Sequence, residues 1–323
     1  MTQTAHIAKP AGGILAFPWR RVALPGLLIA LLAIATAKQP AFLAPRNLQD
    51  ILTQAAPLGM VVLGQALVVL VRGLDLSVAS LMATVAVLAT AFDAHSDAMI
   101  PVIFASAIAL SATVGLINGL LVTKRNVSPF LATLAMMIVL QGLRFAYTKG
   151  APAGSLPTGF RMLGTGQFLG LPINLWAFGA FFAVLALLLH QTTLGRKIYI
   201  VGGNPQAARL VGIDADRITI LCYVIGSVMA GLAGLFLVGF VGTVDNWVGR
   251  GYELDSIVAV VIGGVSLAGG VGTVGGAVLG ALILTVLFNI VVILGLPVQA
   301  QLVVKGIMIV VAAAVFVRGT RQG

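Results

Sequence analysis

The residues of this chain that could do chemistry are polar side chains set inside long apolar stretches. Arg72, Asp75 and Ser77 occur together at an interruption that also contains a glycine. Uncharged amides stand in other apolar stretches at Gln65, Asn118, Gln141 and Asn289. Amides both donate and accept hydrogen bonds, which suits a neutral polyhydroxyl solute. The amides, together with Asp75 and Ser77, are therefore candidates for the lining of a solute path.

Each of these side chains also has a purely structural interpretation. Asp75 could cap the helix that follows it, with Arg72 as a nearby counter-charge. The amides could join neighbouring membrane helices by hydrogen bonds. Arg144 and Lys305 also lie in apolar stretches, but their long side chains could reach a membrane interface, so they are assigned no solute role.

A second group of polar residues precedes a later apolar stretch. Tyr252, Glu253 and Asp255 stand just before it, and acids at a helix start interact favourably with the helix dipole. The functional interpretation is a docking point for an extracytoplasmic partner. The two interpretations are compatible.

The basic segment 190–217 is longer than an ordinary hairpin between two helices. Asn204 is suited to an N-cap, Pro205 to the first helical turn and Gly212 to the helix end. The segment predicts a short helix on the cytoplasmic face, and the alternative is a plain connecting loop. The residues of this predicted helix are Asn204, Pro205, Ala207, Ala208, Arg209, Leu210 and Gly212.

The chain lacks the motifs of an enzyme that acts alone. No phosphate-binding loop with its lysine occurs, and the glycine-rich stretch 269–276 suits close helix packing. Only nine acids are present, and a single cysteine, Cys222, precludes an internal disulfide. We therefore predict no catalytic residue and no metal site. We also predict no nucleic-acid partner, because the basic residues are scattered between apolar stretches.

Composition identifies the environment of the chain as a lipid bilayer. Of its 323 residues, 59% are hydrophobic and 9% are charged, against about 25% charged in soluble domains. A spanning helix needs about 20 apolar residues, and the chain predicts an all-α polytopic membrane protein with ten spans. The predicted spans are 22–37, 55–71, 76–92, 100–121, 130–147, 173–189, 218–241, 255–270, 275–293 and 300–317.

Basic residues set the predicted orientation. With the N-terminus inside, twelve Lys and Arg residues lie on the cytoplasmic side and five outside. We therefore expect cytoplasmic tails at 1–21 and 318–323 around one transmembrane domain at 22–317. The first span resembles a signal peptide, but an uncleaved helix is the interpretation we favour. Spans 2–5 and 7–10 each contain a glycine-rich break and have opposite orientation, which suggests an inverted repeat.

Several stretches in a fixed order resemble the permease subunits of ABC importers of the ribose, xylose and galactose type, a branch that includes autoinducer-2 permeases. The resemblance extends from about residue 45 to the C-terminus. Departures from the usual family pattern in the stretch Arg72–Asp75, at Ala79 and at Ile290 put the exact solute in doubt and not the family. The matching stretches are Arg72–Ser80, Asn118–Lys124, Gly195–Asn204, Ala207–Ile213, Tyr252–Asp255, Ala259–Leu267 and Gly269–Gly272.

The resemblance implies a bacterial inner-membrane importer of a monosaccharide such as ribose, xylose or galactose. It implies a pair of membrane subunits, identical or sister chains, with two ATPase modules inside and a solute-binding protein outside. The helix at Asn204–Gly212 would contact the ATPase, which would use ATP and Mg, while this chain would bind no cofactor.

Other transport functions remain open. Autoinducer-2, nucleosides or branched-chain amino acids are alternative solutes for the same kind of permease. An ion-coupled secondary carrier is a different class, and it would usually need acids inside the membrane, where only Asp75 is near. A passive channel would not explain the long cytoplasmic segment.

Overall fold

The computed structural model describes residues 19–152, 154–297, 299–303, 305–307 and 310. This part of the chain is mostly helical, with one hairpin of two-residue strands, β1 (Gln167–Phe168) and β2 (Leu171–Pro172). The helices in chain order are α1 (Trp19–Lys38), α2 (Pro45–Leu70), α3 (Val78–Ala89), α4 (Ile100–Lys124), α5 (Pro129–Thr148), α6 (Arg161–Thr165), α7 (Ile173–Gln191), α8 (Thr193–Gly203), α9 (Pro205–Leu210), α10 (Ala215–Val241), α11 (Tyr252–Ile262) and α12 (Val274–Ile293).

Six helices in the described residues are long and apolar enough to cross a membrane: α2, α4, α5, α7, α10 and α12. They coincide with six of the ten predicted spans. The predicted span 76–92 instead contains α3, which has only 12 residues, and the predicted span 255–270 overlaps α11, which has only 11. Hydropathy does not show where the backbone leaves the helical conformation, because the residues next to α3 and α11 are themselves largely apolar or small.

The predicted span at the N-terminal side, 22–37, lies within α1. The predicted span 300–317 falls largely outside the described residues, and the described ones at 299–303, 305–307 and 310 have helical backbone. The tails predicted at 1–21 and 318–323 are outside the described residues except for 19–21.

Helices α2 and α10 form the centre of the fold. They cross at Gly64 and Gly226, where a Cβ on Gly64 would come within 2.8 Å of the Gly226 carbonyl oxygen. Small residues allow this close approach between membrane helices. Cys222 on α10 is fully buried, as expected for a small apolar side chain. Helices α4, α5 and α7 surround this centre and expose most of their residues outward.

Two breaks interrupt the helical packing beside this centre. The first comprises residues 71–77, between α2 and α3, and the second comprises residues 263–273, between α11 and α12. Arg72 in the first break has a positive φ of 65°, and Gly264, Gly269, Gly270 and Gly272 in the second break have positive φ as well. Glycine adopts this left-handed region without strain, whereas it is uncommon for arginine.

The segment between α7 and α10, which is predicted to be cytoplasmic, folds into α8 and α9. The predicted short helix is present as α9, and the Asn204 side chain caps it by accepting hydrogen bonds from the N–H groups of Gln206 and Ala207, both at 3.0 Å. Gly212 follows it with a φ of 79°. Helix α8 was not predicted, although Thr192 supplies an N-cap by accepting from Gly195 N–H at 3.2 Å.

Candidate functional site

Arg72 joins the first break to the end of α8. Its Nε donates a hydrogen bond to the Gly202 carbonyl at 2.6 Å, and a second guanidinium nitrogen donates to the Gly203 carbonyl. The last carbonyls of a helix have no partner within the helix, and a cation there interacts favourably with the dipole. Arg72 therefore caps α8 immediately before Asn204 begins α9.

The second break packs onto the same corner. The Gly270 N–H donates to the Leu70 carbonyl at 2.9 Å, and the Tyr199 hydroxyl of α8 donates to the Gly272 carbonyl at 2.9 Å. Burial raises the pKa of the Tyr199 hydroxyl, so it stays a neutral donor. A Cβ on Gly202 would overlap the Leu70 carbonyl oxygen. Both breaks and α8 therefore meet in one contact, which we call the glycine junction (residues 70–72, 199–203 and 269–272).

A buried polar cluster lies in the first break, next to the glycine junction. One carboxylate oxygen of Asp75 accepts from the Ser77 hydroxyl at 2.6 Å and from the Ser77 N–H at 2.8 Å. The Asn118 amide of α4 donates to the Ser77 hydroxyl at 3.1 Å. All three side chains are at most 1% exposed. The cluster links α3 to α4 by way of Ser77.

Side chains from three other helices satisfy the backbone of the first break. Thr133 of α5 accepts from the Leu76 N–H at 3.1 Å, and the Tyr223 hydroxyl of α10 donates to the Leu74 carbonyl at 3.3 Å. Gln65 of α2, in the amide orientation that satisfies both partners, lies 3.2 and 3.3 Å from the backbone oxygen and nitrogen of Asp75. Irregular backbone at membrane depth requires such partners, because lipid offers none.

Helix α9 presents an apolar surface to solvent. Leu210 is 89% exposed and Val211 is 71% exposed, whereas Ala208 is fully buried against the rest of the protein. Exposed apolar residues next to each other on a helix outside the membrane-spanning stretches are typical of a contact with another protein. Among the residues predicted to contact an ATPase, Leu210 therefore faces outward, while Ala208 faces inward.

Two ion pairs that share Asp216 join α9 and α4 to the start of α10. Asp216 at the start of α10 accepts from Arg209 of α9 at 2.6 Å and from Lys124 of α4 at 2.7 Å. Lys124 and Arg209 are more than half exposed, so each pair contributes at most about 1 kcal/mol. The pairs orient α9 more than they stabilise it.

A comparison of the sequence with known families assigns the chain to one of them. Residues 47–313 match the family described as the permease component of branched-chain amino acid transport systems. The chain belongs to this permease family. It is a multi-pass inner-membrane protein and a transport component, and permeases of this family act with ATPase and solute-binding partners.

Curated relatives cover nearly the whole permease. It is 41% identical to the ribose import permease protein RbsC of Escherichia coli strain K12 over 89% of this chain and 91% of the relative. It is 40% identical to RbsC of Bacillus subtilis strain 168, over 88% and 89%. It is 33% identical to the galactose/methyl galactoside import permease MglC of Haemophilus influenzae, over 90% and 91%. No solved structure matches the permease.

The candidates for the solute path fall into separate places. Gln65, Asp75, Ser77 and Asn118 meet around the first break. Asn289 of α12 instead pairs with Asn47 of α2, its amide donating at 2.9 Å, which fits the helix-joining interpretation. The last candidate, Gln141 of α5, lines a cavity elsewhere in the permease.

The predicted docking residues lie in the first turn of α11, where their acids favour the helix dipole. Glu253 accepts from the Gly251 N–H at 2.9 Å. Asp255 is 5% exposed and forms an ion pair with Lys305 at 2.7 Å. Tyr252 and Glu253 are partly exposed, so they, and not Asp255, are available at the surface for a partner.

Sequence reasoning missed the residues that hold the glycine junction together. Arg72 was predicted as a counter-charge for Asp75, but its guanidinium caps α8 instead. Arg144 was interpreted as reaching for an interface, yet it is 4% exposed inside the protein. Lys305 pairs with Asp255. Within the described residues, no group of three or more His, Cys, Asp or Glu side chains could hold a metal ion.

Proposed function

We propose that this permease is the membrane-spanning subunit of an ABC importer that translocates a monosaccharide such as ribose, xylose or galactose. The names of its ribose and galactose relatives, which match it over most of its length, support this class of solute. The observation that carries the mechanism is the glycine junction, because it joins an exposed cytoplasmic helix to a break among the membrane helices.

Transport in this proposal is driven from the cytoplasmic side. A separate ATPase binds ATP and Mg, contacts Leu210 and its neighbours, and displaces α9. Because Arg72 caps α8 directly before α9, that movement reaches the first break, where the Asp75–Ser77–Asn118 cluster lies. The membrane helices then alternate between outward-open and inward-open states, and this chain itself binds no cofactor.

The full topology belongs to the same proposal. Ten spans, two cytoplasmic tails and an inverted repeat of spans 2–5 and 7–10 agree with the bias of basic residues toward the predicted cytoplasmic side. The two short helices α3 and α11, one in each block and each adjoining a break, support the repeat. Broken helices in corresponding positions of two blocks are typical of transporters.

The proposed partners are the ATPase, an extracytoplasmic solute-binding protein and a second permease subunit, either another copy or a sister chain. The outward faces of α4, α5 and α7 would contact lipid and that second subunit. The binding protein selects the solute and docks near Tyr252 and Glu253. The role of Asp255 in docking would then be indirect, through the start of α11.

Uptake of labelled sugars tests the proposal. Cells that lack this chain are compared with cells that regain it, using D-ribose, D-xylose and D-galactose at micromolar concentration. Restored uptake of at least one sugar, lost again when the partner ATPase is deleted, is expected. Undiminished uptake of every sugar without the chain would remove the assignment, and uptake that survives loss of the ATPase would favour an ion-coupled carrier.

The family description supplies one competing solute, a branched-chain amino acid. Labelled leucine, isoleucine and valine in the same cells distinguish the two. Chain-dependent uptake of an amino acid, without uptake of a sugar, would replace the monosaccharide in the proposal and leave its ATPase coupling unchanged.

A further inference from the structure

A cavity of about 300 Å³ lies between α3, α5 and the loop that joins α10 to α11. This volume is at the lower end of the range for ligand pockets, so it suits a small solute. Its polar lining includes Gln141, Arg144, Asn246, Arg250 and Glu253, and Trp247 adds an aromatic side chain. We call it the outer cavity, because α5 and α10 both end beside it on the predicted outer side.

Arg144 is the buried charge of the outer cavity. It is 4% exposed, and one guanidinium nitrogen donates to the Ser80 carbonyl at 3.0 Å and to the Thr84 hydroxyl at 3.3 Å. Its Nε is buried without a partner among the described residues, and none of the ion pairs in that part of the chain includes it. A buried cation with a donor that lacks a hydrogen-bond acceptor is energetically costly, which favours a functional role for Arg144.

The remaining groups are complementary to a sugar. The Gln141 amide makes no hydrogen bond to a described residue, so it is free to donate and accept. Glu253 supplies a carboxylate acceptor for hydroxyl groups, while Arg144 and Arg250 supply donors. Trp247 contacts Phe145 at 5.6 Å between ring centroids, and the Arg250 guanidinium lies over its indole ring at 4.7 Å, so Trp247 holds Arg250 at the lining and reports on changes there.

The position of the outer cavity connects two other features. Glu253 also belongs to the predicted docking region, so a solute released by a bound partner would arrive at this lining. Ala79 and Ser80, which also line the cavity, lie in the first turn of α3, and this helix begins immediately after Ser77 of the buried polar cluster. Helix α3 therefore leads from the outer cavity to the first break.

We infer that the outer cavity is a binding subsite for the transported solute, a neutral monosaccharide, in which Gln141, Arg144 and Glu253 contact its hydroxyl groups. This inference rests on the proposed function and adds a site within the permease to the one in the binding protein. Only weak binding is expected, because a subsite on a transport path must also release its solute.

Tryptophan fluorescence tests the subsite directly. The chain contains three tryptophans, so the double variant Trp19→Phe/Trp176→Phe leaves Trp247 as the sole reporter. The full chain in lipid nanodiscs, without ATPase or binding protein, is titrated with D-ribose, D-xylose and D-galactose from micromolar to high millimolar concentrations. The L-enantiomers control for nonspecific effects of concentrated sugar.

A saturable emission change with at least one D-sugar, and none with its L-enantiomer, is expected. Gln141→Leu removes a hydrogen-bonding amide, and Glu253→Gln replaces a charged acceptor with a weaker neutral one, so each should weaken it about tenfold. Gln167→Leu, which replaces an exposed amide in β1, should leave it unchanged. Equal responses to both enantiomers, or saturable binding that neither cavity variant weakens, would overturn the subsite.

The uptake experiment separates this inference from the proposed function. Chain-dependent sugar uptake together with no stereospecific emission change would overturn the subsite and leave the importer assignment standing. An absence of sugar uptake, with chain-dependent amino-acid uptake in its place, would overturn both.

Discussion

The Nε of Arg72 lies 2.6 Å from the carbonyl oxygen of Gly202, although the two residues are 130 positions apart in the chain. This hydrogen bond joins the break that precedes α3 to the last turn of α8. Since α9 follows α8 after a single residue, we expect a displacement of α9 to act on the break. The contact gives a direct physical route between the predicted ATPase surface and the buried polar cluster.

Replacing Arg72 with methionine should weaken this route. The variant loses both hydrogen bonds to the end of α8 and the charge that complements the helix dipole, a loss of about 1 kcal/mol at an exposed side chain. We expect transport to fall about fivefold while ATP hydrolysis by the assembled complex continues. Sugar uptake and ATPase activity in proteoliposomes measure the two rates.

Arg196→Met is the matched control for Arg72→Met, because Arg196 is an exposed arginine of α8 that forms no ion pair with a described residue. It should leave the ratio of transport to hydrolysis unchanged. An unchanged ratio in Arg72→Met as well would contradict a coupling role for Arg72.

Adjacent glycines at the end of α8 give a sharper test of the glycine junction. A Cβ on Gly202 would overlap the Leu70 carbonyl oxygen and approach the Gly270 nitrogen within 2.6 Å, whereas a Cβ on Gly203 meets nothing within 4 Å. Gly202→Ala should therefore destabilise the permease by about 1–3 kcal/mol, and Gly203→Ala should be tolerated. Thermal unfolding in detergent measures both.

Equal melting temperatures for Gly202→Ala and Gly203→Ala would show that the junction is looser than the described contacts. A lowered melting temperature for Gly202→Ala alone, with reduced transport, is the expected result. Since both substitutions add the same methyl group to neighbouring positions, helix propensity alone would not separate them.

The sequence predicted the membrane helices better than the contacts between them. The six long helices follow from apolar stretches of sufficient length, and α9 follows from Asn204, Pro205 and Gly212. The pairing of the two breaks was not predictable, because Leu70, Gly202 and Gly270 are distant in sequence. Nothing in the residue types shows which glycines must lie against a carbonyl.

The burial of individual side chains could not be predicted from the sequence either. Ala208 and Leu210 are two positions apart in a six-residue helix, too short for a hydrophobic period to show which side faces the protein. Arg144 looked like a side chain that reaches an interface, because a single arginine in an apolar stretch does not show whether it faces lipid or a cavity. Its packing against α3 decides that question.

Leu210 and Ala208 should respond differently to a charge. Leu210→Asp places the carboxylate in solvent, since Leu210 is 89% exposed, so the permease should fold normally but lose contact with the ATPase. We expect an unchanged melting temperature and at least tenfold lower transport. Ala208→Asp buries an unpaired carboxylate and should lower the amount of folded permease.

Leu169→Asp is the control for Leu210→Asp. Leu169 is 78% exposed at the tip of the β1–β2 hairpin, on the predicted outer side. It should leave transport unchanged. Normal transport by Leu210→Asp would contradict an ATPase contact at α9, and a lowered melting temperature would show that the loss arises from folding.

The buried polar cluster gives the last prediction. Ser77→Ala removes the hydroxyl that donates to Asp75 and accepts from Asn118, and it leaves both partners buried with fewer hydrogen bonds. Leaving buried polar groups without partners costs about 1–3 kcal/mol, so the melting temperature in detergent should fall by several degrees.

Ser106→Ala is the control for Ser77→Ala, because among the described residues the Ser106 hydroxyl donates only to the Ile103 carbonyl of its own helix. If the two variants have equal melting temperatures, the cluster does not hold α3 against α4. If only Ser77→Ala melts early and its transport also falls, the cluster both stabilises the break and maintains the geometry through which the movement of α9 reaches the membrane helices.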